Sequence, residues 1–197
     1  MPVPDAQDMV SPVIQDIEKV LFHESTILAR LDEIACEVTK DYRGKDLTVV
    51  AILNGSCLFL GDLLRRIPIP LKVDCISVAS YHGATKSSGV VTLKQKEVPD
   101  VKGRHVLLVD DILDTGRTLA AVRQMLVAGA GAADVSCCVL LRKDIPREEP
   151  VDSRYVGFDI PNEFVVGYGL DYMGHYRNLP FIGVLSEEAI SRQQVSG

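Results

Sequence analysis

Three short runs constrain this chain more than any other feature: LTVVAIL (47–53), HVLLV (105–109) and VSCCVLL (135–141). Each is short and dominated by apolar residues, and LTVVAIL is also rich in β-branched ones. Runs of this kind read as strands buried on both faces, as parallel sheets require. Stretches of helical length alternate with them. From 25 to 40, Ile27, Leu28, Leu31, Ile34, Ala35 and Val38 fall on one helical face, and Gly44 lies beyond the stop. Residues 57–66 suit a helix closed by Pro68 and Pro70, and 116–128 another, ended by Gly129 and Gly131. Residues 72–81 read as a second strand, VTLKQK as an edge hairpin, and 155–158, 164–168 and 181–185 as short strands. Ser186 then caps a last helix, with Glu187 and Glu188 in its first turn.

Strand and helix in alternation predict an α/β fold: a central, mostly parallel sheet with helices on both faces. The 197 residues fit a single domain, 1–197, with 1–20 as an N-terminal arm. In such sheets ligands bind beyond the carboxyl ends of the strands. The places to search are therefore the strand ends near 53, 81, 110 and 141.

Composition narrows the function classes. A net charge of −6 argues against nucleic-acid binding. It leaves room for a local pocket that takes a small anion. No apolar stretch approaches the ~18 residues of a membrane span, and MPVPDAQDMV lacks the parts of a signal peptide. The five cysteines are odd in number and form no Cys-x-x-Cys pair. They read as reduced, mostly buried thiols of a cytoplasmic protein. The four histidines show no metal-ligand spacing.

The stretch VLLVDDILDTGRTL (106–119) carries the chemistry. VLLV delivers the chain to the carboxyl edge of the sheet and places Asp110 and Asp111 at the strand end. Asp114, Thr115, Gly116, Arg117 and Thr118 form a turn into the next helix. Amides at a helix start point at that turn and favour an anion. Thr115 and Thr118 add hydroxyl donors, and Gly116 lets the backbone come close. A phosphate monoester fits this cradle, while the carboxylates suit hydroxyls, a cation or a proton. A ribose 5-phosphate meets both needs. The Gly-Lys-Ser/Thr of a Walker A loop is absent. The plainer alternative is an acidic pair that caps a helix and binds nothing.

VLLVDDILDTGRTL resembles the signature of type I phosphoribosyltransferases. LLRK (140–143) and YVGFDIPNEFVVGYGLDYMGHYRNLPFIGVLSE (155–187) resemble the purine-binding end of the hypoxanthine-guanine phosphoribosyltransferases. ILNGS (52–56) and SYHG (80–83) resemble their pyrophosphate loop and mobile catalytic loop. The resemblance runs from about residue 20 to 190. It implies the type I phosphoribosyltransferase fold with a small hood from the chain ends, to which 155–197 contribute the purine-binding part.

The resemblance also implies roles. Phosphoribosyl pyrophosphate would be bound by Asp110, Asp111, Asp114, Thr115, Gly116, Arg117, Thr118, Asn54, Gly55 and Arg177. Asp114 would be catalytic, moving a proton at N7 of the purine. Lys143 would donate to O6, Phe164 would stack on the base, and the Val165 backbone would read the base edge, with Asp171 close by. Magnesium would be held on the side of Asp110, Asp111 and Asp171. Ser80 and Tyr81 would open the mobile loop, and a non-proline cis peptide is expected within the loop Leu53-Asn54-Gly55-Ser56. Relatives usually carry Lys or Arg at Asn54 and often Glu at Asp110, so the chain departs from them there.

The expected reaction moves phosphoribose from phosphoribosyl pyrophosphate to hypoxanthine or guanine, giving IMP or GMP and pyrophosphate. A homodimer or homotetramer is implied. Two rivals stay open. One is an enzyme for xanthine or another base; Lys143, Phe164 and Asp114 favour a purine. The other is a regulator that binds phosphoribosyl pyrophosphate without turnover; such regulators tend to carry an added DNA-binding segment or a basic face.

Overall fold

In a computed structural model of the protein, which describes residues 12–79, 92–93 and 98–195, the three apolar runs are adjacent strands of one sheet. The chain divides into two compact units, Leu28–Asn162 and Met1–Ile27 with Glu163–Gly197.

The larger unit holds the central sheet. Its strands are β2 (Leu47–Leu53), β3 (Leu71–Ala79), β4 (Thr92–Leu93), β5 (His105–Leu113), β6 (Asp134–Lys143) and β7 (Ser153–Ile160), in the order β4-β3-β2-β5-β6-β7. Five are parallel, and only β4 runs antiparallel, against the outer edge of β3. This is the sheet the sequence predicts; of the expected edge hairpin VTLKQK, Thr92 and Leu93 pair with β3, and the remainder lies outside the described residues.

Alternate residues of each strand serve opposite faces. Val50, Ile52, Ile76, Val106, Leu108, Cys137 and Val139 pack with Leu119 and Val122 of helix α3 (Arg117–Gln124) and with Leu126. Val49, Ala51, Leu107, Val109, Cys138 and Leu140 are buried on the other face. Tyr42 of helix α1 (Glu24–Tyr42) meets the His105 ring edge-on at 6.5 Å, which sets α1 on that second side. Arg30 of α1 also donates to the carbonyls of Val156 and Gly157 in β7, at 2.8 and 3.0 Å. Helix α2 (Cys57–Leu64) buries Phe59, Leu60 and Leu63.

The smaller unit holds strand β1 (Ile17–Phe22), β8 (Val165–Val166) and β9 (Ile182–Leu185) in an antiparallel sheet ordered β1-β9-β8, followed by helix α4 (Glu187–Val195). Ser186 Oγ accepts the Ala189 amide at 3.2 Å, the cap expected there.

Several expectations need correction. β5 does not stop at Val109; it runs through both aspartates to Leu113, because β6 stays paired with it as far as Leu113 opposite Arg142. The third helix is regular only to Gln124 and continues as one π-helical turn, Met125–Gly129. Residues 17–20, expected in an arm, belong to β1. Its IEKVLF sequence alternates poorly, and only pairing with β9 makes it a strand. The cysteines are all free, but Cys36 and Cys57 are exposed, Cys75 is half-buried, and only Cys137 and Cys138 are buried. Cys36 lies on the outward side of an amphipathic helix, where apolar neighbours in sequence give no cover. Among the described residues, no helix is long and apolar enough to cross a membrane.

Candidate active site

The acidic pair lies where β5 loses one neighbour and keeps the other. β2 pairs with β5 only as far as Ala51 opposite Val109. The loop after β2 then covers the freed flank. Its Leu53–Asn54 peptide is cis, as the resemblance implies. Ser56 is buried, and its hydroxyl donates to the Ile52 carbonyl at 2.5 Å. Gly55 packs against Asp111 so closely that a Cβ would overlap the carboxylate. Asn54, Gly55 and Asp111, taken from two distant stretches of sequence, are thus neighbours.

Asp110 is 7% exposed, and Asp111 is half-buried. The Asp111 amide donates to Asp110 Oδ1 at 3.0 Å, and the Ile112 amide to Asp111 Oδ1 at 2.8 Å. Burial holds the Asp110 carboxyl well above the usual carboxylate range. The charge of Asp111 and the hydrogen bond between the two carboxyls push it the same way, and the Asp111 amide offsets part of this.

Among the described residues, no cluster of three His, Cys, Asp or Glu side chains is placed to hold a metal ion. Two adjacent carboxylates nevertheless fit magnesium, which commonly takes one or two of them and completes its shell from substrate oxygens and water. A cation there would also relieve the repulsion that raises Asp110.

Asp114 follows β5 directly. Its carboxylate lies 3.2 Å from Lys143 Nζ at the end of β6, and the Lys143 side chain is only 12% exposed. Parallel pairing of β5 and β6 brings these two residues, 29 apart in sequence, to one strand-end edge. Gly116 has φ +83° and precedes α3, so the turn takes a left-handed step that favours glycine there. Thr115 and Gly116 lie in the turn, and Arg117 and Thr118 are the first residues of α3. The turn is overlaid by a segment that the sequence did not single out. The Glu149 amide donates to the Thr115 carbonyl at 3.3 Å, and the Arg117 guanidinium pairs with Glu148. The sequence REEP (147–150) reads only as a charged, solvated loop.

A cavity of about 620 Å³ opens beside Lys143, lined also by Arg142, Asp144, Arg147, Asp159, Ile160 and Pro161. Arg142 donates to both oxygens of Asp159 across the β6–β7 pair, at 2.6 and 3.0 Å. That pairing holds the Asp159 carboxyl below its ordinary range.

The smaller unit carries the remaining candidates. Phe164 is 44% exposed, large for an aromatic ring, and Tyr172 meets it edge-on at 5.2 Å. Val165 begins β8, opposite Val184. Asp171 and Arg177 are brought together: Arg177 Nη2 lies 2.7 Å from Asp171 Oδ1, and Nη1 donates to the Gly169 carbonyl at 2.6 Å. The Gly174 amide donates to the other Asp171 oxygen at 2.8 Å. Tyr168, Met173 and Tyr176 in this loop have φ of 49°, 51° and 72°. Ser80 and Tyr81 lie outside the described residues.

Comparison with known proteins agrees with this geometry. The profile of the phosphoribosyl transferase domain matches residues 20–173. The chain is 48% identical over 176 residues to the hypoxanthine-guanine phosphoribosyltransferase of Streptococcus pneumoniae strain R6, covering 89% of this chain and 97% of that one. It is 43% identical over 177 residues to the enzyme of the same name from Streptococcus agalactiae serotype V, covering 90% and 98%. Among solved structures, a hypoxanthine phosphoribosyltransferase from Staphylococcus aureus superposes with a TM-score of 0.86 at 41% identity, over 91% of this chain and 97% of that one. The hypoxanthine phosphoribosyl transferase of Trypanosoma cruzi gives 0.85 at 36% identity, over 92% and 97%.

Proposed function

The chain belongs to the phosphoribosyltransferase family, and on that premise we propose that it is a purine-salvage enzyme of the hypoxanthine-guanine kind. It transfers phosphoribose from phosphoribosyl pyrophosphate to hypoxanthine or guanine, giving IMP or GMP and releasing pyrophosphate. The observation that carries this reading is the pairing of Lys143 with Asp114 at 3.2 Å, one residue before the phosphate turn. A donor and an acceptor side by side match the adjacent O6 and N7 of a 6-oxopurine.

Each group then has one task. The turn amides from Thr115 to Thr118, with both threonine hydroxyls, hold the 5′-phosphate. Gly116 keeps the backbone close enough for this. Lys143 has three donors and no acceptor, so it donates to the oxygen at C6 and disfavours the amino group of adenine. Asp114 takes or returns the proton at N7 and so tunes the nucleophilicity of N9. Phe164 offers its exposed face to the purine ring, and the Val165 backbone reads the base edge. Asn54, Gly55 and Arg177 serve the pyrophosphate end. Asp110 and Asp111 would hold magnesium, which when bound supplies charge neutralisation for the departing pyrophosphate, and Asp171 is a further candidate magnesium ligand. Asp110 and Asp111 also face the ribose hydroxyls.

The protein works in the cytoplasm, with thiols reduced, and as a homodimer or homotetramer. The exposed Leu58 of α2 and Val73 of β3 are apolar surface suited to a subunit contact. Pyrophosphate release measured with hypoxanthine, guanine, xanthine, adenine and uracil tests the reading, with Asp114→Asn as control. Turnover with hypoxanthine or guanine and a slow Asn variant support it. No turnover with any base, or an Asn variant as fast as its parent, ends it.

A further inference from the structure

Residues 147 to 149 form a strap between the base-reading lysine and the phosphate turn. Arg147 Nη2 donates to the Lys143 carbonyl at 3.0 Å. Glu148 pairs with the Arg117 guanidinium, and the Glu149 amide donates to the Thr115 carbonyl at 3.3 Å. A Cβ on Gly116 would overlap the Glu149 carbonyl oxygen, so the strap lies directly on the turn. Val151 anchors its far end against the hydrophobic core.

Glu148 is the unexpected member. Its side chain is 50% exposed and that of Arg117 40%, so their pairing adds little to stability. It also sets a carboxylate beside a turn whose amides face an anion. That carboxylate repels a phosphate dianion, and it occupies the one cationic side chain within the Thr115–Thr118 turn. Both effects act against phosphate binding.

We propose that Glu148 tunes the enzyme by opposing the 5′-phosphate, holding the Arg117 guanidinium aside and lowering affinity for every 5′-phosphorylated ligand of the site. The inference rests on the reading that the turn from Thr115 to Thr118 binds that phosphate. A nucleotide product shares this phosphate with the substrate. Weaker retention of IMP is the benefit, since tight product binding slows turnover.

The test compares dissociation constants of IMP and of inosine, which lacks the phosphate, for the parent, Glu148→Gln and Glu149→Gln. Glu148→Gln is expected to bind IMP about three- to tenfold tighter, by removal of a charge repulsion in a largely aqueous setting. The gain should shrink as salt rises. Inosine binding and Tm should stay at the parent values. Glu149 contacts the turn through its backbone, so Glu149→Gln should change IMP binding far less. If the strap mattered only for order, Glu148→Gln would weaken IMP binding or lower Tm, and that sign overturns the proposal. Unchanged IMP affinity overturns it too, as does an equal gain from Glu149→Gln, which would reduce the effect to net charge. If the parent binds IMP no better than inosine, the phosphate reading of the turn fails first, and this proposal falls with it.

Discussion

The α-carbon of Gly55 lies against the Asp111 carboxylate, with no room between them for a methyl group. The carboxylate is the movable partner, because it ends a side chain. Gly55→Ala should therefore displace Asp111 from the Ile112 amide that it accepts at 2.8 Å. The stability cost is that of one hydrogen bond, about 0.5–1.5 kcal/mol. The catalytic cost is larger, because Asp111 sits at the proposed ribose and metal side, and misplacement there can cost about a hundredfold. Thermal unfolding and kcat/KM for phosphoribosyl pyrophosphate should separate the two effects. Full activity in the alanine variant would show that the position of Asp111 is unimportant.

Asp110 gives the ligand-free protein a pH signature. Its folded carboxyl titrates well above the ordinary range, chiefly through burial, then through Asp111. The folded state thus holds a proton that the unfolded chain has already released. Stability attributable to this group falls as pH rises from the ordinary carboxylate range, near ~3.9, towards the raised folded value. Asp110→Asn removes that loss while keeping the shape. The variant should melt higher than the parent at neutral pH, and the gap should close towards pH ~4. Tm measured from pH 4 to 8 without ligand or metal checks this. Parallel curves would mean that Asp110 is ionised in the fold at little cost.

That the central strands are buried in a parallel sheet was legible because LTVVAIL, HVLLV and VSCCVLL are mostly apolar on both faces; their order, β4-β3-β2-β5-β6-β7, was not. The length of β5 was not. Two aspartates look like a strand stop, and only the neighbouring β6, paired as far as Leu113, keeps the backbone extended through them. The turn into α3 could be read from its own residues, since Gly116 sets its backbone geometry locally. The Gly55–Asp111 contact and the strap over Gly116 could not. Both are meetings of distant backbone segments, and a glycine or glutamate in a polar loop carries no mark of what will approach it. β1 escaped for a related reason. IEKVLF has an interrupted pattern, with bulge-like shifts in its register against β9, so periodicity alone does not reveal it.

Lys143 and Asp114 invite a measurement of division of labour. The Lys143 side chain is largely buried, so on the proposed reading its removal would leave the O6 of the base without a donor. Lys143→Ala should raise KM for hypoxanthine and guanine by about tenfold or more, matching the ~1.5–3 kcal/mol of a charged hydrogen bond. KM for phosphoribosyl pyrophosphate should change far less. Initial rates with each substrate varied in turn decide this. Equal losses for both substrates would remove Lys143 from the reading of the base.

Asp16 offers the last prediction, within the smaller unit. One oxygen accepts the Tyr176 hydroxyl at 2.9 Å and the other faces Arg192 at 2.6 Å. Tyr176 is 5% exposed and sits at φ 72°, a conformation that costs a tyrosine of order 1–3 kcal/mol and persists only where surrounding contacts hold it. The next residue is Arg177, whose guanidinium already spans Asp171 and Gly169. Asp16→Ala removes an external hold on this loop and leaves a buried hydroxyl without that partner. Stability should fall by about 1–3 kcal/mol, while Asp16→Asn, which keeps an acceptor for Tyr176, should lose less. If the clamp also sets Arg177, KM for phosphoribosyl pyrophosphate should rise in the alanine variant, be largely restored by asparagine, and leave KM for hypoxanthine near the parent value. Denaturant titration and paired substrate kinetics read both effects. A variant that loses stability with no change in either KM would confine Asp16 to holding the fold.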